Sequence, residues 1–147
     1  MKLRRVTYGD AEQLLVWRND PLTRANSRTT GEITSAMHRA WLGVRLADPH
    51  EQLFIAEDDG SAVGTGRISD DTSSSEISLT VAPERRGKGY ARQIITALLT
   101  RVRSGAVVRA QVLVTNRPSL IAFLHNGFIP TTIVQDDRRW LWLERRV

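Results

Sequence analysis

The sequence predicts a mixed α/β domain built on one central sheet. Three observations point there. The chain has 147 residues, 41% of them hydrophobic and 25% charged, which suits one ordinary globular domain (residues 1–147). Strand-like and helix-like segments alternate in the order β, α, α, β, β, β, α, β, α, β, β. The sequence has no cysteine, so the core forms without disulfide staples, and thiolate zinc sites and cysteine nucleophiles are excluded.

The elements follow from periodicity and punctuation. Residues 2–7 read as a short strand. Asp10 is placed to cap a helix through about Arg18, with Ala11, Leu14 and Leu15 at helical spacing. Asp20-Pro21 breaks that helix, and the polar stretch 22–33 reads as loop or a short helical turn. Thr34 or Ser35 can cap a second helix over 35–47, with Met37, Ala40, Trp41 and Val44 on its apolar side. Asp48-Pro49 ends it. Residues 52–57 and 61–69 read as strands joined by the turn Asp58-Asp59-Gly60. The serine-rich stretch 69–75 is a hairpin loop. Residues 75–81 alternate, with Ile77, Leu79 and Val81 facing one way and Glu76, Ser78 and Thr80 the other. A helix runs from Gly89 to about Arg103. Residues 106–114 are a strand, 118–126 a helix, and 127–134 and 138–146 two more strands.

The formal charge is +5, and lysine occurs only at Lys2 and Lys88, so the excess is arginine. Such a surface attracts polyanions. Arginine-favouring codon usage explains it equally well. The basic residues are scattered and no nucleic-acid motif is present, so nucleic acid is not an expected partner. His38, His50 and His125 lack the spacing of a helical metal site, and no metal is expected. The basic start Met1–Tyr8 has no apolar run behind it, and no segment approaches the roughly 18 apolar residues of a membrane helix. The expected location is cytoplasmic, without a membrane partner.

The chemistry concentrates in Val81-Ala82-Pro83-Glu84-Arg85-Arg86-Gly87-Lys88-Gly89-Tyr90-Ala91. A strand ends, a glycine-containing turn follows and a helix begins. A helix start offers unpaired N–H groups and positive potential, and glycines let a ligand approach the main chain, so the segment suits a pyrophosphate. It lacks both G-x-x-x-x-G-K-[ST] and G-x-G-x-x-G. A basic surface turn is the alternative.

Arg86-x-x-Gly89-x-Ala91 after Val81-x-Pro83 resembles the pyrophosphate motif of the GNAT superfamily of acyl-CoA-dependent N-acetyltransferases. Asn116-Arg117-Pro118-Ser119, followed by Phe123-Leu124-His125-Asn126-Gly127-Phe128, resembles the same family's N-x-x-[SA]-x-x-x-[YF]-x-x-x-G-F signature. The resemblance is strongest over 52–134. It implies a mostly antiparallel sheet whose fourth and fifth strands splay apart, flanked by helices. It implies acetyl-CoA as co-substrate, held by Arg86, Gly87, Lys88, Gly89, Tyr90 and Ala91. Leu79, Thr80 and Val81 supply a strand edge for the pantetheine arm, and Asn116 and Ser119 lie beside it. Asn116 is equally suited to cap the following helix. Glu76 is the candidate base, or an ordinary solvated carboxylate. The usual tyrosine acid is replaced by Phe123, which donates no proton. His125 lies two residues on and points elsewhere on the helix.

Trp17-Arg18-Asn19-Asp20 and His38-Arg39-Ala40-Trp41-Leu42 resemble GNAT enzymes of amino-sugar (pseudaminic acid) synthesis and of the ribosomal-protein alanine acetyltransferase branch. That implies a small-molecule amine acceptor, a nucleotide-linked amino sugar among the choices, met by Trp17, Arg18, Asn19, Arg28 and His38, with Arg24 also available. A peptide N-terminus is the other acceptor class, and a non-catalytic acetyl-CoA-binding module is the rival prompted by Phe123. Trp17 and Trp41 also suit helix core, and Arg18 and Asn19 also suit holding their own loop. Homodimers are common among relatives, and nothing in the sequence locates an interface.

Overall fold

The computed structural model describes residues 1–147. Seven strands form one sheet in the order β1-β2-β3-β4-β5-β7-β6. They are β1 (Lys2–Arg5), β2 (Glu51–Asp58), β3 (Ser61–Asp70), β4 (Ser74–Val81), β5 (Val107–Leu113), β6 (Ile129–Gln135) and β7 (Arg139–Arg146). Every neighbouring pair is antiparallel except β4 and β5. The helices are α1 (Ala11–Arg18), α2 (Pro21–Ala25), α3 (Ser35–Ala47), α4 (Tyr90–Leu99) and α5 (Arg117–His125).

The strand Leu53-Phe54-Ile55-Ala56 is buried along its whole length because both faces of β2 are covered. Phe54 and Ala56 join one core with Ile68, Ile77, Ile94, Leu98, Val108 and Phe123, under α4 and α5. Leu53 and Ile55 join a second core with Val6, Leu14, Trp17 and Leu42, under α1 and α3. The strand period of two divides one apolar run between two layers. The turn Asp59-Gly60 forms as read, with φ of 51° and 79°.

Three local expectations are corrected. Asp10 does not cap α1 with its side chain; its carboxylate accepts from Thr7 N–H at 2.9 Å and pairs with Arg4 at 2.8 Å. Pro21 does more than break α1: it opens α2, capped by Asp20, whose Oδ2 accepts from Thr23 N–H at 3.1 Å. The apolar side read for α3 faces solvent. Met37, Trp41 and Val44 are exposed, while His38 and Leu42 are buried. The inward stripe of α3 holds a histidine and Arg45, which pairs with Glu51 at 2.5 Å. Hydrophobicity therefore selects the wrong stripe. Thr34 caps α3 as expected, accepting from Met37 N–H at 3.2 Å.

Two predictions follow from this packing. A Cβ at Gly64 would lie 2.3 Å from the Thr80 carbonyl oxygen, whereas a Cβ at Gly31 meets nothing within 4 Å. Gly64→Ala should lower the denaturant-derived stability by about 1–3 kcal/mol through overpacking, and Gly31→Ala should leave it nearly unchanged. His38 is 4% exposed, and burial, with Arg18 and Arg39 nearby, lowers its pKa below the ordinary value. The unfolded chain therefore takes up a proton at His38 as pH falls through about 6.5 while the native chain resists it. Stability should drop across that window in the wild type and drop less in His38→Gln, as measured by urea midpoints from pH 7.5 to 5.5.

Candidate active site

β4 and β5 pair over three rungs only: Ser74 with Val107, Ser75 with Val108 and Glu76 with Arg109. Beyond Glu76, β4 pairs only with β3, and β5 beyond Arg109 pairs only with β7. The strands part, leaving one side of the β4 segment Ile77–Val81 without a strand partner. That segment contains Leu79, Thr80 and Val81, all half-buried. Glu76 stands on the last paired rung, at the apex of the gap. It lines a polar hollow of about 160 Å³ with Ser69, Asp70, Asp71, Ser74 and Arg109.

Where β4 ends, a 3-10 turn (Pro83–Arg85) leads into Gly87 and Gly89, with φ of 74° and 81°. Gly89 is the residue before α4, in the left-handed conformation that glycine adopts without strain. The main-chain N–H groups of Gly87, Lys88, Gly89, Tyr90, Ala91 and Arg92 donate to no protein acceptor; the first bond into α4 is Gln93 N–H to Gly89 O at 3.3 Å. A row of free amides at the positive end of a helix fits the two linked phosphates of a coenzyme. Lys88 is exposed beside it. Tyr90 is anchored by its hydroxyl, which donates to Asp58 Oδ2 at 2.8 Å. Ala91 is half-buried, packed against the main core.

The Arg86 guanidinium does not point freely into solvent. Its Nη2 donates to Asp20 Oδ2 and, at 3.1 Å, to Thr23 Oγ1. This pairing holds the Asp20 carboxyl below the usual carboxylate range. Asp20 and Thr23 were not expected in the site. Their signal is present in the sequence as an Asp-Pro N-cap, which is easily mistaken for a simple helix break.

Asn116 precedes α5 but makes no side-chain capping bond, so that alternative is not realised. Ser119 lies half-buried in the first turn of α5 and Arg117 is exposed. Phe123 is 2% exposed, with its ring edge-on to Phe128 at 5.0 Å. It is a core residue on the strand-facing side of α5, and His125 is exposed on another side.

The segment from α1 to α3 crosses the open end of the sheet. Asn19 ties it into a loop: its side chain donates to Ile33 O and accepts from Ile33 N–H, both at 2.8 Å. Arg24 donates to Asn19 O and Thr30 O, both at 3.1 Å. Arg28 donates to Gln111 Oε1 at 2.6 Å, on the diverging part of β5, and to Asp136 at 2.6 Å. Trp140 is buried with the guanidinium groups of Arg28 and Arg138 at 4.1 and 4.8 Å from its ring. Arg138 donates to Ala25 O and Ser27 O. Arg28 and Asn19 therefore hold the wall together rather than offering free groups to a ligand. Trp17, 2% exposed, belongs to the second core and its ring is closed to substrate. His38 is likewise buried beside Trp41, at 5.5 Å between ring centroids.

Arg18 differs from these neighbours. Its Nη2 donates to Thr29 O at 2.8 Å, while its Nη1 is buried without a partner. No carboxylate lies within ion-pair distance of it. Burial and Arg24 lower its pKa, the direction expected of a cation lacking a counter-charge. No group of three or more His, Cys, Asp or Glu side chains is placed to hold a metal, and no helix is long and apolar enough to cross a membrane.

The comparisons with known proteins agree with this architecture. The ribosomal-protein-alanine N-acetyltransferase from Brucella melitensis superposes with a TM-score of 0.82 at 22% identity, covering 100% of both chains. The spermidine N-acetyltransferase from Vibrio cholerae, solved with CoA and spermine, gives 0.83 at 16% identity over 98% of this chain and 94% of its own. An aminoglycoside acetyltransferase solved with coenzyme A and kanamycin gives 0.83 at 18% over 99% and 94%. At these identities the likeness establishes the fold. No curated protein is a significant sequence match. The sequence model of the Acetyltransferase (GNAT) family matches residues 11–128, most of the chain. With that match and the splayed sheet together, the chain belongs to the GNAT family of acetyl-CoA-dependent N-acetyltransferases.

Proposed function

We propose that this protein moves the acetyl group of acetyl-CoA to a primary amine on a small anionic metabolite, with a nucleotide-linked amino sugar as the leading acceptor class. The transfer is direct, without a covalent enzyme intermediate. The observation that carries the reading is the row of free amides at 87–92, set at the end of a strand whose outer side is unpaired.

Acetyl-CoA supplies a thioester whose carbonyl carbon an amine can attack. The amides of Gly87 to Arg92 hold the pyrophosphate, with Lys88 adding charge. The open side of β4 between Leu79 and Val81 pairs with the amides of the pantetheine arm, as an added strand would. A main-chain N–H there stabilises the carbonyl oxygen as negative charge develops. Asn116 and Ser119 flank the arm. Glu76, at the apex, takes the proton that the attacking amine must lose, through water. No side-chain acid stands at position 123. The departing thiol has an ordinary pKa of about 8.5, so it leaves as a thiolate that water protonates.

The acceptor reading rests on Arg18. A buried charged donor without a partner costs about 1–3 kcal/mol or more. Arg18 Nη1 is closed to solvent, so an anionic acceptor would relieve this cost by opening the loop that Arg18 holds through Thr29 O. A polycationic amine would meet repulsion from Arg18 and Arg24.

Three outcomes check the acceptor class and the coenzyme turn. In an acetyl-CoA assay with a matched amine panel, amines bearing phosphate or carboxylate should have the highest kcat/KM; preference for spermidine or for a peptide N-terminus would overturn the acceptor class. Arg18→Gln should raise the KM of the anionic amine at least about tenfold with little change in kcat. Gly89→Ala places a side chain at φ 81°, costing about 1–3 kcal/mol of strain in the bound turn. It should weaken coenzyme A binding roughly tenfold by calorimetry.

A further inference from the structure

The segment Asp20–Arg28 is fastened at both sides of the gap. At one end Asp20 and Thr23 hold Arg86, the first residue of the coenzyme turn. At the other, Arg28 holds Gln111 on β5 and Asp136 in the β6–β7 turn. The segment is therefore a strap across the mouth between the parted strands. Its interior is stiffened by Arg24 and Arg138, which take up the carbonyls of Asn19, Thr30, Ala25 and Ser27.

Arg86 has capacity left over. Only its Nη2 is engaged; Nε and Nη1 donate to nothing in the protein, and the side chain is 35% exposed. The guanidinium presents its donors as a rigid planar fork. One edge can stay on Asp20 while the other meets a phosphate oxygen. The geometry points to Asp20 as a positioning residue: through Arg86 it transmits occupation of the coenzyme turn to the strap that walls the acceptor side. The inference rests on the coenzyme reading of residues 86–91.

The physical basis is linkage. A phosphate that immobilises Arg86 also immobilises what Arg86 holds, and a strap already ordered costs the acceptor less to bind against. Asp20 is half-buried and serves two donors besides Arg86, the main-chain N–H and the hydroxyl of Thr23. Asn is as good an N-cap as Asp, so Asp20→Asn removes the charge that orients Arg86 while keeping α2 capped.

The test is amide hydrogen exchange on the full chain, with and without coenzyme A, which needs no acceptor. In the wild type, coenzyme A should slow exchange at the amides of 87–92 and, by about fivefold or more, at those of 20–28. In Asp20→Asn the 87–92 amides should still be protected, while the 20–28 segment exchanges at the same rate with and without coenzyme. Arg86→Gln, which cuts the relay from the other side, should uncouple the strap in the same way. It keeps the inference testable if Asp20→Asn proves unstable. A wild-type strap indifferent to coenzyme A, or a strap that still responds in both variants, overturns the inference alone. No protection at 87–92 in the wild type overturns the coenzyme reading, and this inference with it.

Discussion

Parallel pairing between β4 and β5 stops after three rungs, and the rest of the site depends on that stop. A fully paired sheet would bury the main-chain groups of Ile77–Val81 in a ladder and leave no gap for a thioester. The parting is held from both sides. β4 stays registered on β3 through Val81, and β5 stays registered on β7 through Leu113. One continuous core, holding Ile77 of β4, Val108 of β5, Phe123 and Phe128, runs beneath both halves. Ile94 and Leu98 of α4 pack against β3 at Gly64 and Gly66. The sheet therefore divides without exposing its core.

The same division explains the placement of charge. A turn with six free amide donors suits an anion, and of the two cationic side chains beside it Lys88 is exposed while Arg86 is held by an acidic cap from the opposite wall. Electrostatics thus joins parts of the chain far apart in sequence. The wall formed by the segment from α1 to α3 is built largely from arginines that hold carbonyl oxygens and an aromatic ring. This use of arginine is structural: Arg24, Arg28 and Arg138 stiffen a loop that has little apolar content of its own. Arg18 Nη1 is left as a buried donor without a hydrogen-bond partner in the protein, as are Trp140 Nε1 in the same wall and Arg67 Nε on β3.

Much of this was legible in the sequence because it is written locally. The strand at residues 75–81, the glycines at 87 and 89 and the start of the helix after them are short-range signals and appear where periodicity and turn chemistry put them, although that helix ends at Leu99 rather than near Arg103. The family motifs add the splay, which no local pattern encodes. What stayed illegible depends on long-range partners. Nothing in the neighbourhood of Arg28 announces Gln111, 83 positions away, or Asp136, 108 positions away. Trp17 and Trp41 occupy similar helical contexts, yet one is sealed in a core and the other is open to solvent. The inward face of α3 is illegible because Arg45 is drawn to Glu51 of β2, and His38 is buried beside Leu42, against their hydropathy.

The central claim is that the free side of β4 receives the pantetheine arm while the amides of 87–92 receive the pyrophosphate. Intermolecular nuclear Overhauser effects between bound coenzyme A and isotope-labelled protein test it most directly. The account predicts contacts from the pantetheine methylenes to Leu79–Val81, together with large amide shifts across Gly87–Arg92. A coenzyme bound with its arm contacting another strand, or no binding at all, would contradict it.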